Sequence, residues 1–296
     1  MQKIIINGGC PLNGSIHISG SKNAALPIMA ACILTNEELE LSNIPSLDDV
    51  RTMSKVLSSL GVKVNEDNIS ENKMTLCYKD SDQSVAEYDL VRKMRASVLV
   101  LGPLLARKRE ATVSLPGGCA IGARPIDIHI EALEKLGAEF SLDQGYIKCK
   151  ASKGLIGCEL DLPKISVGAS ENIIMAACLA KGESKIKNIA IEPEVIDLVD
   201  CLKSMGANIE LADNRTILIQ GVDEMKGASH TIIPDRIETL TYVIAGALHA
   251  ENLLIKDINI SHIQNVLDSL QKLNVDMEIK DNEISVKKTS IEEGIE

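Results

Sequence analysis

The strongest constraint on the fold is that the chain repeats itself. A helix-like stretch closes on Leu-Gly or a near equivalent and runs into a short strand four times: VLSSLGVKVN, ALEKLGAEFS, CLKSMGANIE and SLQKLNVDME. The pivots are Gly61, Gly137, Gly206 and Asn274, and a period of roughly 70 residues marks a repeated supersecondary unit. Gly, and less often Asn, accepts the left-handed backbone that ends a helix. A second mark recurs in register with the first. AACILTNEELELSNI (30–44), AACLAKGESKIKNI (176–189) and AGALHAENLLIKDI (245–258) each place small and apolar residues before a polar turn, then a strand closing on Asn-Ile or Asp-Ile. LGPLLARKREATVSL (101–115) keeps the plan. Each unit reads as strand, helix, strand, helix, strand, strand. Chance similarity within a generic α/β chain does not keep two marks in register.

The two helices of a unit differ in kind. The one before each pivot is amphipathic; in IDIHIEALEKLG, the helical period puts Ile126, Ile130, Leu133 and Leu136 on one face with His129 beside them. The first helix of each unit is apolar on most sides, which predicts packing inside the structure rather than over a sheet.

Composition narrows the function. The 296 residues carry a formal charge of -11, and nucleic-acid binding needs the opposite sign. The five aromatics, Tyr78, Tyr88, Phe140, Tyr146 and Tyr242, are scattered, so no base-stacking surface is expected. The longest apolar run, 96–106, contains Gly102 and Pro103 and is shorter than the roughly 20 residues of a membrane span. The start, MQKIIINGGC, lacks the pattern of a signal peptide. Eight cysteines without a CxxC pair read as reduced thiols of a cytoplasmic protein. The five histidines show no ligand spacing, so no metal is expected.

Chemistry concentrates where strands hand over to helices. The sharpest feature is LPGGCAIGARP (115–125), where Gly117, Gly118 and Gly122 surround Cys119. It is not a Walker A loop, because Ala123-Arg124 stands where Lys-Ser/Thr is required. Pro125 suits a first helical turn, whose free N–H groups attract anions. With Arg124 beside it, Cys119 is either a reactive thiol or an inert one in a tight turn. Basic residues stand at the other unit starts: Lys22 with Asn23, Arg92, Lys93 and Arg95, Lys164 before Ser166 and Gly168, and Arg236. Singly each reads as a surface charge; together they fit a small polyanionic substrate. Asp48 and Asp49, Glu192 and Glu194, and Asp235 and Glu238 are candidate acids and bases or helix-start residues, with capping favoured for Asp48 and Asp235.

In this order, ISGSKNAALP, YDLVRKMRAS, SLPGGCAIGARPIDIHI, SVGAS and PDRIET closely resemble the UDP-N-acetylglucosamine 1-carboxyvinyltransferase family of enolpyruvyl transferases, over essentially the whole chain. The resemblance implies an inside-out α/β barrel of repeated βαβαββ units, six in the family and four in this chain. It implies transfer of the enolpyruvyl group of phosphoenolpyruvate to the 3-hydroxyl of UDP-N-acetylglucosamine with release of phosphate, the first committed step of peptidoglycan synthesis. No cofactor is implied. Cys119 would match the family's lid cysteine, which protonates the methylene carbon and forms an adduct with phosphoenolpyruvate. Lys22 and Arg124 would hold phosphate and carboxylate, and Asn23 would orient the sugar. Arg95, the stretch Arg124, Pro125, Ile126, Asp127 and Ile128, and the stretch Lys164, Ile165, Ser166, Val167 and Gly168 match the nucleotide-sugar site. Glu192 and Glu194 match acidic residues lining the cleft.

The resemblance also sets the expected domains. Residues 22–229 would form a complete three-unit domain bearing the Cys loop, and 1–21 with 230–296 an incomplete second one. The family's catalytic Asp lies beyond residue 296, so a fragment with little or no activity alone is expected. A non-catalytic nucleotide-sugar-binding fragment is the alternative. A shikimate-pathway enolpyruvyl transferase ranks lower, since that enzyme lacks this Cys loop.

Overall fold

The computed structural model describes residues 3–5, 7–66, 71–79, 85–86, 94–114, 126–213 and 215–289; of Arg95, Val85 and Ala86 only the backbone is described. The chain divides into two compact units, one of residues 1–20 and 234–296, the other of residues 21–233.

Residues 21–233 hold three four-stranded sheets of one plan. The first orders β13 (Ala228–Thr231), β2 (Glu38–Ser42), β4 (Lys73–Tyr78) and β3 (Val62–Asn65). The second orders β5 (Val85–Ala86), β6 (Glu110–Ser114), β8 (Tyr146–Lys150) and β7 (Glu139–Asp143). The third orders β9 (Glu159–Asp161), β10 (Glu183–Lys187), β12 (Thr216–Gln220) and β11 (Asn208–Ala212). In each, one parallel pair is followed by two antiparallel pairings. The pivots sit where the repeat puts them: Gly61, Gly137 and Gly206 adopt φ of 95°, 96° and 94°. Asn43 and Asn188, from the strand-closing Asn-Ile pairs, also have positive φ, 57° and 59°. Their side-chain amides donate to Ile232 O (2.9 Å) and Leu162 O (2.8 Å), tying each strand end to its parallel neighbour.

Helices lie inside these sheets. α1 (Lys22–Ala31) is buried from Ala24 to Ala31, and α5 (Val167–Ala177) from Ala169 to Ala177. A 3-10 stretch (Arg95–Val100) leads into α3 (Leu101–Lys108), whose residues Leu101 to Leu105 are buried. The amphipathic helices are α2 (Asp48–Ser59), α4 (Asp127–Lys135) and α6 (Pro193–Ser204). Strands alternate between buried and exposed side chains, as in β4 and β10, so one sheet face meets the helices and the other meets water. The sheets are open; among the described residues none closes on itself. The buried face of α4 is rotated from the expected one. Ile128, His129, Ala132, Leu133 and Leu136 are buried, whereas Ile126 and Ile130 are half-buried. The imidazole is therefore part of the face and not beside it.

Residues 1–20 and 234–296 form the fourth sheet, β1 (Leu12–His17), β14 (Ala250–Lys256), β16 (Glu283–Val286) and β15 (Met277–Lys280), with α7 (Arg236–His249) and α8 (Gln264–Lys272). Its pivot, Asn274, has φ of 56°. The parallel pairings hold what the repeat alone does not indicate. β1 precedes α1 in the chain but pairs with β14, and β13 precedes α7 but pairs with β2. The first and fourth repeats have exchanged their opening strands.

Candidate active site

Every expected site residue that is described stands at a helix start in residues 21–233. Lys22 and Asn23 open α1 after the buried Ser21. Arg95 opens the 3-10 stretch. Ile126 caps α4, and Asp127 and Ile128 form its first turn, with the Asp127 carboxylate accepting from Ile128 N at 3.0 Å. Lys164 and Ile165 are exposed ahead of α5. Ser166 caps that helix, its Oγ accepting from Ala169 N at 3.4 Å, and Val167 and Gly168 follow. Glu192 caps α6, where Pro193 takes the position that lacks an N–H partner anyway, and Glu194 lies buried in the first turn. Cys119, Arg124 and Pro125 lie outside the described residues.

The acidic pairs resolve differently from one another. Asp48 is not a cap: Leu47 takes that place, and Asp48 lies in the first turn of α2, where it pairs with Arg51 at 2.8 Å. Its neighbour Asp49 pairs with Lys22 at 3.1 Å, both side chains 41% exposed. An exposed pair of this kind is worth about 0–1 kcal/mol. Asp235 does cap α7, accepting from Ile237 N and Glu238 N. Glu238 accepts from Ser19 Oγ at 2.6 Å, which anchors that helix start.

The helix starts are joined by buried polar groups that the pattern of apolar residues does not single out. Asn172, fully buried on α5, accepts from Gly102 N (2.8 Å) and donates to Val98 O (3.1 Å) and His129 Nδ1 (2.9 Å). Ser170 Oγ accepts from Ala190 N at 2.9 Å, binding α5 to the loop before α6. Glu171, 3% exposed, has one carboxyl oxygen with no hydrogen bond among the described residues. Burial, and then the charges of Glu194 and Glu192, push its carboxyl well above the usual carboxylate range. The signal in the sequence is ASENIIMAAC, where Glu-Asn interrupts a helix apolar on its other sides.

Burial disfavours the thiolate of five of the other cysteines. Burial pushes the thiols of Cys149, Cys178 and Cys201 up to about 12, and that of Cys32 upward as well. Cys158 is raised by burial too, partly offset by Lys135. Among the described residues no group of three His, Cys, Asp or Glu is placed to hold a metal, and no helix is long and apolar enough to cross a membrane.

The fold of this three-sheet body with helices inside is that of solved enolpyruvyl transferases. A sequence model of the family described as EPSP synthase (3-phosphoshikimate 1-carboxyvinyltransferase) matches residues 6–296. The enolpyruvyl transferase NikO from Streptomyces tendae superposes with a TM-score of 0.87 at 24% identity, over 96% of this chain and 68% of that one. EPSP synthase from Acinetobacter baumannii gives 0.76 at 15%, over 96% and 66%. Sequence relatives are closer. The UDP-N-acetylglucosamine 1-carboxyvinyltransferase of Pelagibacter ubique is 48% identical over 97% of this chain and 68% of its own length. That of Rhodospirillum centenum is 49% identical over 94% and 66%. The chain belongs to the enolpyruvyl transferase family and, by these identities, to its UDP-N-acetylglucosamine 1-carboxyvinyltransferase branch. It spans about two thirds of the length of the curated relatives it matches.

Proposed function

We propose that the chain provides the nucleotide-sugar and phosphoenolpyruvate side of a transferase that moves an enolpyruvyl group to the 3-hydroxyl of UDP-N-acetylglucosamine and releases phosphate, in peptidoglycan synthesis. The observation that supports this reading is that the described residues of the expected set, among them Lys22, Asn23, Arg95, Asp127, Ser166, Gly168, Glu192 and Glu194, each stand at a helix start. There the free N–H groups and the Lys22 ammonium offer an anion fixed positive charge. Preorganised positive charge placed where negative charge develops, on a tetrahedral species and on the departing phosphate, usually contributes most to the acceleration of such a reaction. In this reading residues 22–229 form the domain bearing the lid. Lys22 and Arg124 hold the phosphate and carboxylate, Asn23 orients the attacking sugar, and Cys119 delivers the proton to the methylene carbon. Arg95, residues 124–128 and residues 164–168 take the nucleotide sugar, and Glu192 and Glu194 line the cleft. No cofactor enters the scheme.

The test is phosphate release and ligand binding with both substrates. Lys22→Ala should abolish the response to phosphoenolpyruvate while changing stability by no more than about 0.5 kcal/mol, the usual limit for an exposed charge. A Lys22→Ala protein that melts early yet handles phosphoenolpyruvate normally makes Lys22 structural and overturns the assignment.

A further inference from the structure

We infer that Asn172, acting through His129, is a positioning residue for nucleotide-sugar binding, one that holds residues 126–128 and 166–168 in register; the inference rests on the function proposed above. The amide's orientation is fixed by its surroundings. Gly102 N–H donates to Oδ1, so Nδ2 is the group that faces Val98 O and His129 Nδ1. His129 Nδ1 must then accept, which places the proton of the neutral ring on Nε2. On its other side the ring meets Gly168. A Cβ there would stand 3.2 Å from Cε1 and 3.4 Å from Nε2. His129 follows directly on 126–128, and Gly168 ends 164–168. The imidazole is thus clamped between the Asn172 amide and the backbone of one binding segment while rooted in the other. Gly102 serves the same clamp, since a Cβ on it would lie 2.3 Å from Asn172 O. Gly102 and Val98 are buried, as are His129 to 6% exposure and Asn172 to 0%, and a satisfied buried network specifies one arrangement of the elements it joins.

The test uses the whole chain in three measurements. Nitrogen-15 spectra of the imidazoles should show His129 with its proton on Nε2; a proton on Nδ1 alone overturns the proposal. UDP-N-acetylglucosamine is then titrated into wild type, Asn172→Leu and His129→Phe by NMR, at temperatures where urea unfolding shows each variant folded. Both variants should bind at least tenfold more weakly per folded molecule, while phosphoenolpyruvate binding through Lys22 changes less than twofold. A lower urea midpoint with unchanged nucleotide-sugar affinity makes Asn172 merely structural and overturns the proposal. So does an equal loss for both ligands. Should Asn172→Leu not fold, His129→Phe carries the same comparison. A wild-type chain that takes up no nucleotide sugar overturns instead the function on which the proposal rests.

Discussion

The inner helices α1 and α7 open the first and the fourth repeat and end in different surroundings. α1 is buried continuously from Ala24 to Ala31, and the 3-10 stretch, α3 and α5 share its core. α7 buries only Thr239, Val243, Gly246 and Ala247, and leaves Ile237, Ile244 and Leu248 at 52%, 46% and 60% exposure. The repeat's sequence is written for a helix surrounded on all sides. Residues 21–233 supply three repeats to surround it, and residues 1–20 with 234–296 supply one. An apolar helix of this kind gains its stability from neighbouring repeats, not from its own sheet.

The largest expected effect tests that contrast directly. Met29→Ala in α1 removes a fully buried side chain and should cost about 2–5 kcal/mol by urea unfolding. Leu248→Ala in α7 should cost no more than about 0.5 kcal/mol. Equal losses would mean that α7 is covered in solution. A smaller effect follows from the helical glycines. Gly102→Ala forces a Cβ to 2.3 Å from a backbone oxygen, and overpacking of this kind costs about 1–3 kcal/mol. Gly246→Ala meets only the Val286 and Leu253 side chains, the nearest atom at 3.1 Å. There the gain of about 1 kcal/mol in helix propensity should offset the crowding and leave the urea midpoint nearly unchanged.

Glu171 adds a dependence on pH that belongs to residues 21–233 alone. Its folded-state pKa is raised, so its contribution is fully present below the unfolded pKa and is lost as pH rises toward the folded one. Wild-type stability should fall with a slope of about 1.4 kcal/mol per pH unit from this group above roughly pH 4.5. Glu171→Gln should remove that slope, so the variant gains on wild type more at pH 8 than at pH 5. Parallel stability–pH curves would show that Glu171 is ionised in the fold. The smallest effect concerns the pivots: Gly137→Ala, at φ of 96°, should cost about 1 kcal/mol, and Asn274→Gly should change stability by only a few tenths.

The fold is legible in the sequence to the extent that it is local. The pivots, the strand-closing asparagines and the distinction between inner and amphipathic helices all express backbone conformation or one-sided burial, and residues 61, 137, 206 and 274 carry that information themselves. The exchange of β1 and β13 is not local. Nothing in LNGSIH or ASHT distinguishes a partner strand close by in the chain from a distant one. The site is legible as a set of helix starts. The hydrogen-bonded groups behind it are not, because Asn172 and Glu171 sit on a helix whose other side chains are apolar. Asp48 reads as a cap from its residue type, whereas the backbone turns helical one residue earlier than that reading requires, after Leu47.

The exchanged strands also bear on synthesis. β1 leaves the ribosome well before its partner β14, which lies 238 residues downstream at the Asn13–Glu251 contact. At about 5–20 residues per second that is a wait of roughly 12–48 s. During this interval α1, α3 and α5 can already assemble their core, while β1 has an open edge able to pair with another nascent chain. Gly14 at φ of 122°, Asn13 and His17 make β1 a weak template for such pairing. The order in which the two strands are made thus favours a poor strand ahead of its partner, one that becomes a good neighbour only when β14 arrives.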